Sequence, residues 1–132
     1  MREIKFRSWD KEHNKMWFMG QEGESIKGWT FQTYFNEKGC FEAILLRYFD
    51  NGVGLESEDI KLQIMQYTGL KDKNGKEIYE GDIAKYYSLI QGGEILGQVH
   101  YENGSFLIGE CYVANKRVEI VGNIYENSEL LK

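Results

Sequence analysis

Three Asn-Gly pairs, Asn51-Gly52, Asn74-Gly75 and Asn103-Gly104, punctuate this chain, and the segments around them often alternate apolar and polar residues. Asn-Gly suits a two-residue hairpin because both positions tolerate positive φ, which matches the twist of paired strands. Ile60, Leu62 and Ile64 alternate with Lys61 and Gln63; Ile95, Val99 and Tyr101 with Glu94, Gln98 and His100; Val118, Ile120 and Ile124 with Arg117, Glu119 and Asn123. A strand turns successive side chains to opposite faces, so this period describes sheets with one dry side. Strands are expected near 3–9, 16–19, 28–35, 40–49, 60–68, 76–79, 82–90, 94–101, 105–113 and 117–125.

One segment carries two readings. Phe41, Ile44, Leu45 and Tyr48 fall at helical spacing, with Asn51-Gly52 placed to end a helix. Against this, Trp29, Phe31 and Phe35 lead into the turn Glu37-Lys38-Gly39, which favours a hairpin. At the other end, Asn127 or Ser128 before Glu129, Leu130 and Leu131 reads as a short capped helical turn.

With 132 residues, the chain suits one domain that buries roughly two-thirds of its extended surface. A 42% hydrophobic and 14% aromatic content excludes intrinsic disorder. The fold class expected is mainly β: one domain, 1–132, with N-terminal hairpins over 1–70 and an SH3-like barrel component over 71–132. The barrel is entered through Glu80-Gly81-Asp82-Ile83, where Gly81 relieves a sharp corner and Asp82 accepts a neighbouring amide hydrogen.

Charges interrupt every window of the N-terminus, so no secretory signal is read there, and no apolar run is long enough to span a bilayer. A cytoplasmic protein without membrane contact is expected. The net charge of −5 argues against a simple grip on nucleic acid. In the most basic stretch, 1–17, Arg2, Lys5, Arg7, Lys11 and Lys15 face Glu3, Asp10 and Glu12, a net of only +2. The most acidic stretch, Asp50, Glu56, Glu58 and Asp59, reads as a solvated loop.

Residue chemistry offers no assembled reaction centre. His13 and His100 read as surface histidines without a ligand partner at metal spacing, and no metal or cofactor is expected. Cys40 and Cys111 read as reduced, partly buried thiols, since free cysteine behaves as a small hydrophobe. Either thiol with either histidine is the nearest approach to a nucleophile and base. Glu58-Asp59 and Glu80/Asp82 are the nearest paired carboxylates, and neither Gly92-Gly93 nor Gly52-x-Gly54 completes a phosphate loop. What stands out is a set of aromatics, Trp9, Trp17, Trp29, Tyr34, Tyr86, Tyr87 and Tyr112. Most are expected in the core; the remainder suit a protein interface or a surface that stacks bases, with Trp9 and Tyr86 the candidate binding residues.

The stretch Met65-Gln66-Tyr67-Thr68-Gly69-Leu70-Lys71-Asp72-Lys73-Asn74-Gly75-Lys76-Glu77-Ile78-Tyr79-Glu80-Gly81-Asp82-Ile83 resembles the signature of the YopX family, small proteins encoded by bacteriophages and by prophages in bacterial chromosomes. Ile4-Lys5-Phe6-Arg7-Ser8-Trp9-Asp10 resembles the family's opening, with Ser8 where Ala is common. Val121-Gly122-Asn123-Ile124-Tyr125-Glu126-Asn127-Ser128-Glu129-Leu130-Leu131 resembles its ending, with Ser128 where Pro is common. The resemblance implies a mainly β fold with an SH3-like barrel component and oligomeric assembly, and carries no assigned biochemical activity. Residues 20–60 match no family pattern, so an activity particular to this member would reside there. Backbone geometry explains the central motif without a reaction: Asn74-Gly75 reverses the chain, Asp72 caps the turn and Gly81 turns the corner.

Two functions compete. The first is a non-enzymatic phage or prophage protein that works through protein–protein contacts, with a homo-oligomer or another protein as partner. The alternative is a barrel that binds single-stranded nucleic acid through its aromatics. An enzyme is not expected.

Overall fold

The alternation is realised as strands along most of the described residues. A computed structural model describes residues 3–108, 111–112 and 117–131, and for Cys111 and Tyr112 the backbone alone. The expected burial of Cys111, the ring of Tyr112, Arg2 and the strand end at 113 lie outside the described residues or side chains. In chain order the strands are β1 Phe6–Asp10, β2 Lys15–Phe18, β3 Ser25–Ile26, β4 Trp29–Phe35, β5 Phe41–Asp50, β6 Leu55–Lys71, β7 Glu77–Tyr79, β8 Asp82–Ser88, β9 Gly93–Glu102, β10 Ser105–Ile108, β11 Cys111–Tyr112 and β12 Glu119–Asn123. The helical turn at Ser128–Leu131 is a 3-10 turn. The protein is mainly β, and Phe41–Asp50 is the hairpin strand rather than a helix.

The chain divides into two compact units, Phe6–Ile64 and Met1–Lys5 with Met65–Lys132. In the first, the strand order is β2-β1-β6-β5-β4-β3. Its core is Trp17, Phe31, Ala43 and Leu45, with Ile60, Leu62 and Ile64 packed against them while Lys61 and Gln63 face out. The indole of Trp17 stacks on Phe31 at 5.0 Å between ring centres.

In the second unit β7 pairs with the end of β6, and a five-stranded antiparallel sheet runs β11-β10-β9-β8-β12. Tyr86 belongs to its core with Ile78, Ala84, Val99, Ile108, Val118 and Ile120. The alternation along β12 fails at one point. A register shift between Ile120 and Gly122 turns Asn123 inward, as a bulge does, while Val121 stays on the outer face.

Turn chemistry divides the Asn-Gly pairs. Only Asn103 (φ +51°) and Gly104 (φ +83°) form the two-residue hairpin expected of all three, closing Glu102 onto Ser105. Asn51-Gly52 opens a four-residue loop in which the Asn51 side chain accepts from the Val53 and Gly54 amides at 2.9 and 3.1 Å. Lys27 (φ +49°) and Gly28 (φ +86°) make a second tight hairpin, whose missing asparagine hid β3 from sequence reading.

Candidate functional site

Strand β4 accompanies β5 only to the pair Thr30–Leu46, whereas β5 and β6 stay in register out to Asp50–Leu55. Arg47–Asp50 therefore continue beside β6 as a ribbon, and its loop is closed by the Asn51 side chain. Tyr48, Val53 and Leu55 on this ribbon are 69%, 94% and 78% exposed. Arg47 lies between the rings of Trp29 and Phe49, at 4.7 and 5.9 Å from their centres, and pairs with Glu58. The remaining charges of the ribbon are Asp50, Glu56 and Asp59. The result is an apolar patch rimmed by carboxylates, in the acidic stretch that reads from sequence only as a solvated loop.

A shallow cleft of about 600 Å³ lies at the β4–β5 turn, lined by Tyr34, Asn36, Glu42 and Lys61 among others. Glu42 accepts from the Tyr34 hydroxyl and from Asn36 Nδ2 at 3.1 Å, with Lys61 Nζ at 3.7 Å. The Tyr34 hydrogen bond, followed by that of Asn36, holds the Glu42 carboxyl below the usual range, and Glu42 in turn raises the Tyr34 hydroxyl. A carboxylate so occupied serves the turn. Cys40 is exposed rather than partly buried: it lies in the β4–β5 reversal, where Asn36 Oδ1 accepts its amide at 3.0 Å.

His13 is not a surface histidine. Its side chain is 8% exposed and its Nδ1 lies 2.7 Å from Asp10. The fully buried Asp10 carboxylate also accepts from the His13 amide at 3.1 Å and from Trp17 Nε1 at 3.1 Å. Asp10 and His13 thus lock the β1–β2 reversal. His100 is partly exposed, 3.3 Å from Glu102. Among the described residues no three His, Cys, Asp or Glu side chains cluster as metal ligands would.

The two candidate binding rings are placed inside. Trp9 is buried on β1 and Tyr86 is 5% exposed, so neither offers a stacking face; one residue along β8, Tyr87 is 55% exposed. The pleat decides this: Tyr86 shares the inner face with Ala84, and Tyr87 shares the outer face with Lys85.

The long central motif is organised by Asp72. Its Oδ1 accepts from the amides of Asn74 and Lys76 at 2.8 and 2.9 Å, and Oδ2 from the Ile120 amide at 2.9 Å. Burial opposes ionisation, but these three amides outweigh it and hold the carboxyl below the usual range. Gly81 takes φ +84° with Met65 Sδ 3.0 Å from where a Cβ would stand. Asp82 accepts the Tyr79 amide at 2.8 Å, and Glu80 accepts the Gln66 amide at 2.8 Å, so this carboxylate pair serves backbone. In the closing motif Asn123 Oδ1 accepts from the Tyr125 and Glu126 amides, and Gly122 leaves room for Asn127.

These observations define a small, antiparallel, mainly β protein whose distinctive motifs hold its backbone. The chain belongs to the YopX family: the family model described as "YopX protein" matches residues 5–132. Protein EF1440 from Enterococcus faecalis is similar in structure, with TM-score 0.62, 25% identity and 100% of both chains covered. Protein yopX from Bacillus subtilis is similar in fold, with TM-score 0.58, 23% identity and 97% and 98% of the two chains covered. No curated protein matches the chain. No helix among the described residues is long and apolar enough to cross a membrane.

Proposed function

We propose that this protein performs no reaction of its own and works through protein–protein contacts, with a second copy of the chain as its first partner. The observation that carries this reading is the exposure of Tyr48, Val53 and Leu55 together on one ribbon. Apolar side chains grouped at an exposed tip favour association, because burying them removes apolar surface from water at about 25 cal/mol per Å². The acidic rim excludes tip-to-tip pairing and favours a cationic counter-surface. The β1–β2 hairpin supplies Lys11 at its turn and Lys15 on β2, against Glu12 in the same turn, with Phe18 and Met19 exposed at the other end of β2. The resemblance to phage and prophage proteins supports action inside a bacterial host cell, and an SH3-like barrel component remains part of this reading.

Sedimentation velocity over a wide concentration range tests it. The wild-type chain is expected to form concentration-dependent oligomers, and a variant carrying Tyr48→Ser, Val53→Ser and Leu55→Ser to remain monomeric with an unchanged circular dichroism spectrum. A wild-type chain that stays monomeric throughout sinks the self-association reading.

A further inference from the structure

Outside the ribbon, the second unit carries a cleft of about 280 Å³ on the outer face of β8. Three cations reach it from three segments: Lys85 from β8, Lys73 from the turn after β6, and Arg117 from the approach to β12. The turn is fixed onto the sheet by the Lys73 amide, which donates to the Val118 carbonyl at 3.0 Å, and by Asp72 on the Ile120 amide. The turn that carries Lys73 is thus tied to the backbone at Val118, the residue after Arg117. Lys85 stands 3.3 Å from Glu119 and 3.8 Å from Glu94, and Lys73 stands 4.0 Å from Glu119. Arg117 is exposed, with no carboxylate in ion-pair reach among the described residues. Tyr87, 55% exposed, forms one wall, and the buried Tyr86 also lines the cleft.

We infer that this cleft is a binding site for a nucleoside phosphate, free or as a unit of a single strand, with its phosphate on Arg117, Lys73 and Lys85 and its base against Tyr87. Two carboxylates face it, and both have defined roles. Glu119 ties Lys73 and Lys85 together, so the three cations keep a net positive centre in a chain of net charge −5. Glu94 is 65% exposed and leaves Lys85 easily, because a surface ion pair is worth little. An open aromatic face beside positive charge is the combination that single-strand sites use, since every base has a face to stack. This site is separate from the ribbon, and neither depends on the other.

Fluorescence anisotropy at low salt with a labelled oligothymidylate tests the inference, alongside calorimetry with ATP and with inorganic phosphate. Binding of the oligonucleotide is expected, with a salt slope of about −0.7 for the one phosphate the cleft neutralises. Tyr87→Ala should weaken it by about tenfold while leaving inorganic phosphate unaffected. The double variant Lys73→Glu/Arg117→Glu should abolish binding of every probe, and Lys27→Glu/Lys38→Glu, which reverses two exposed charges elsewhere, should leave binding unchanged. ATP binding without oligonucleotide binding assigns the cleft to free nucleotides and upholds the site; binding of both extends it to strands. No binding at low salt, or equal loss in both charge-reversed variants, overturns it. Heparin binding as tight as the oligonucleotide's and indifferent to Tyr87→Ala also overturns it. Thermal melts confirm that each variant folds, and sedimentation, which the cleft variants should leave unchanged, keeps this test distinct from that of self-association.

Discussion

Two buried carboxylates hold turns that the chain would not otherwise keep. Asp72 satisfies three amides, one of them 48 residues away, and losing it strands donors in a dry environment. Asp72→Asn keeps one acceptor but points an amide group at another donor, and should cost about 3 kcal/mol in urea denaturation at neutral pH. Its folded carboxyl titrates below the unfolded value of about 3.9, so its contribution is complete above that pH and fades as acid titrates the folded form. The gap between wild type and Asp72→Asn should therefore close in acid, and a gap independent of pH would refute the assignment. Asp10→Ala should cost a similar amount, about 3 kcal/mol, because His13 and Trp17 lose a shared acceptor in the β1–β2 reversal. Gly81→Ala places a side chain at φ +84° and against Met65, and thermal melts should show a loss of about 1–2 kcal/mol.

At the scale of elements, alternation was enough to find the long strands, because a half-buried strand writes its burial directly into the residue order. The roles of Asp82 and Gly81 were legible for the same local reason: a corner needs positive φ and an amide needs an acceptor within a few residues. What local order does not carry is where a neighbour stops. Nothing in Trp29–Phe35 says that β4 leaves β5 at Leu46, so the exposure of Tyr48 and Leu55 became visible only with the register. Likewise a shift of one residue separates Tyr86 from Tyr87, and only the sheet decides which ring is wet. The burial of His13 was hidden because its partner Asp10 is drawn inside by Trp17, a contact across a hairpin. The Lys27-Gly28 hairpin shows the converse, a tight turn adopted with an unfavourable residue. Lys27→Asn suits its φ of +49° better and should stabilise the protein by about 0.5 kcal/mol, read as a higher denaturation midpoint with unchanged slope.

For the molecule as a whole, charge and apolar surface are distributed unevenly, and this decides what kind of association to expect. The ribbon between Arg47 and Asp59 carries four carboxylates against one guanidinium, which is already paired with Glu58. Lys11 and Lys15, with Phe18 and Met19, lie on the opposite side of that balance. A contact between unlike patches either closes as a two-fold dimer, each ribbon on the other copy's hairpin, or runs head-to-tail, leaving one patch of each kind open at the ends until a ring closes. Salt acts on one of its two terms: screening weakens the pairing of unlike charges, while burial of Tyr48, Val53 and Leu55 is little affected. Association should therefore weaken between low and physiological ionic strength and then level off. Lys11→Glu/Lys15→Glu should weaken it at low salt and invert the salt dependence, since salt then screens repulsion, whereas the serine variant of the ribbon should abolish it at all salt concentrations. Sedimentation velocity across a salt series distinguishes these, and association that strengthens steadily with salt in the wild type would show that apolar burial alone drives it, without the cationic hairpin as counterpart.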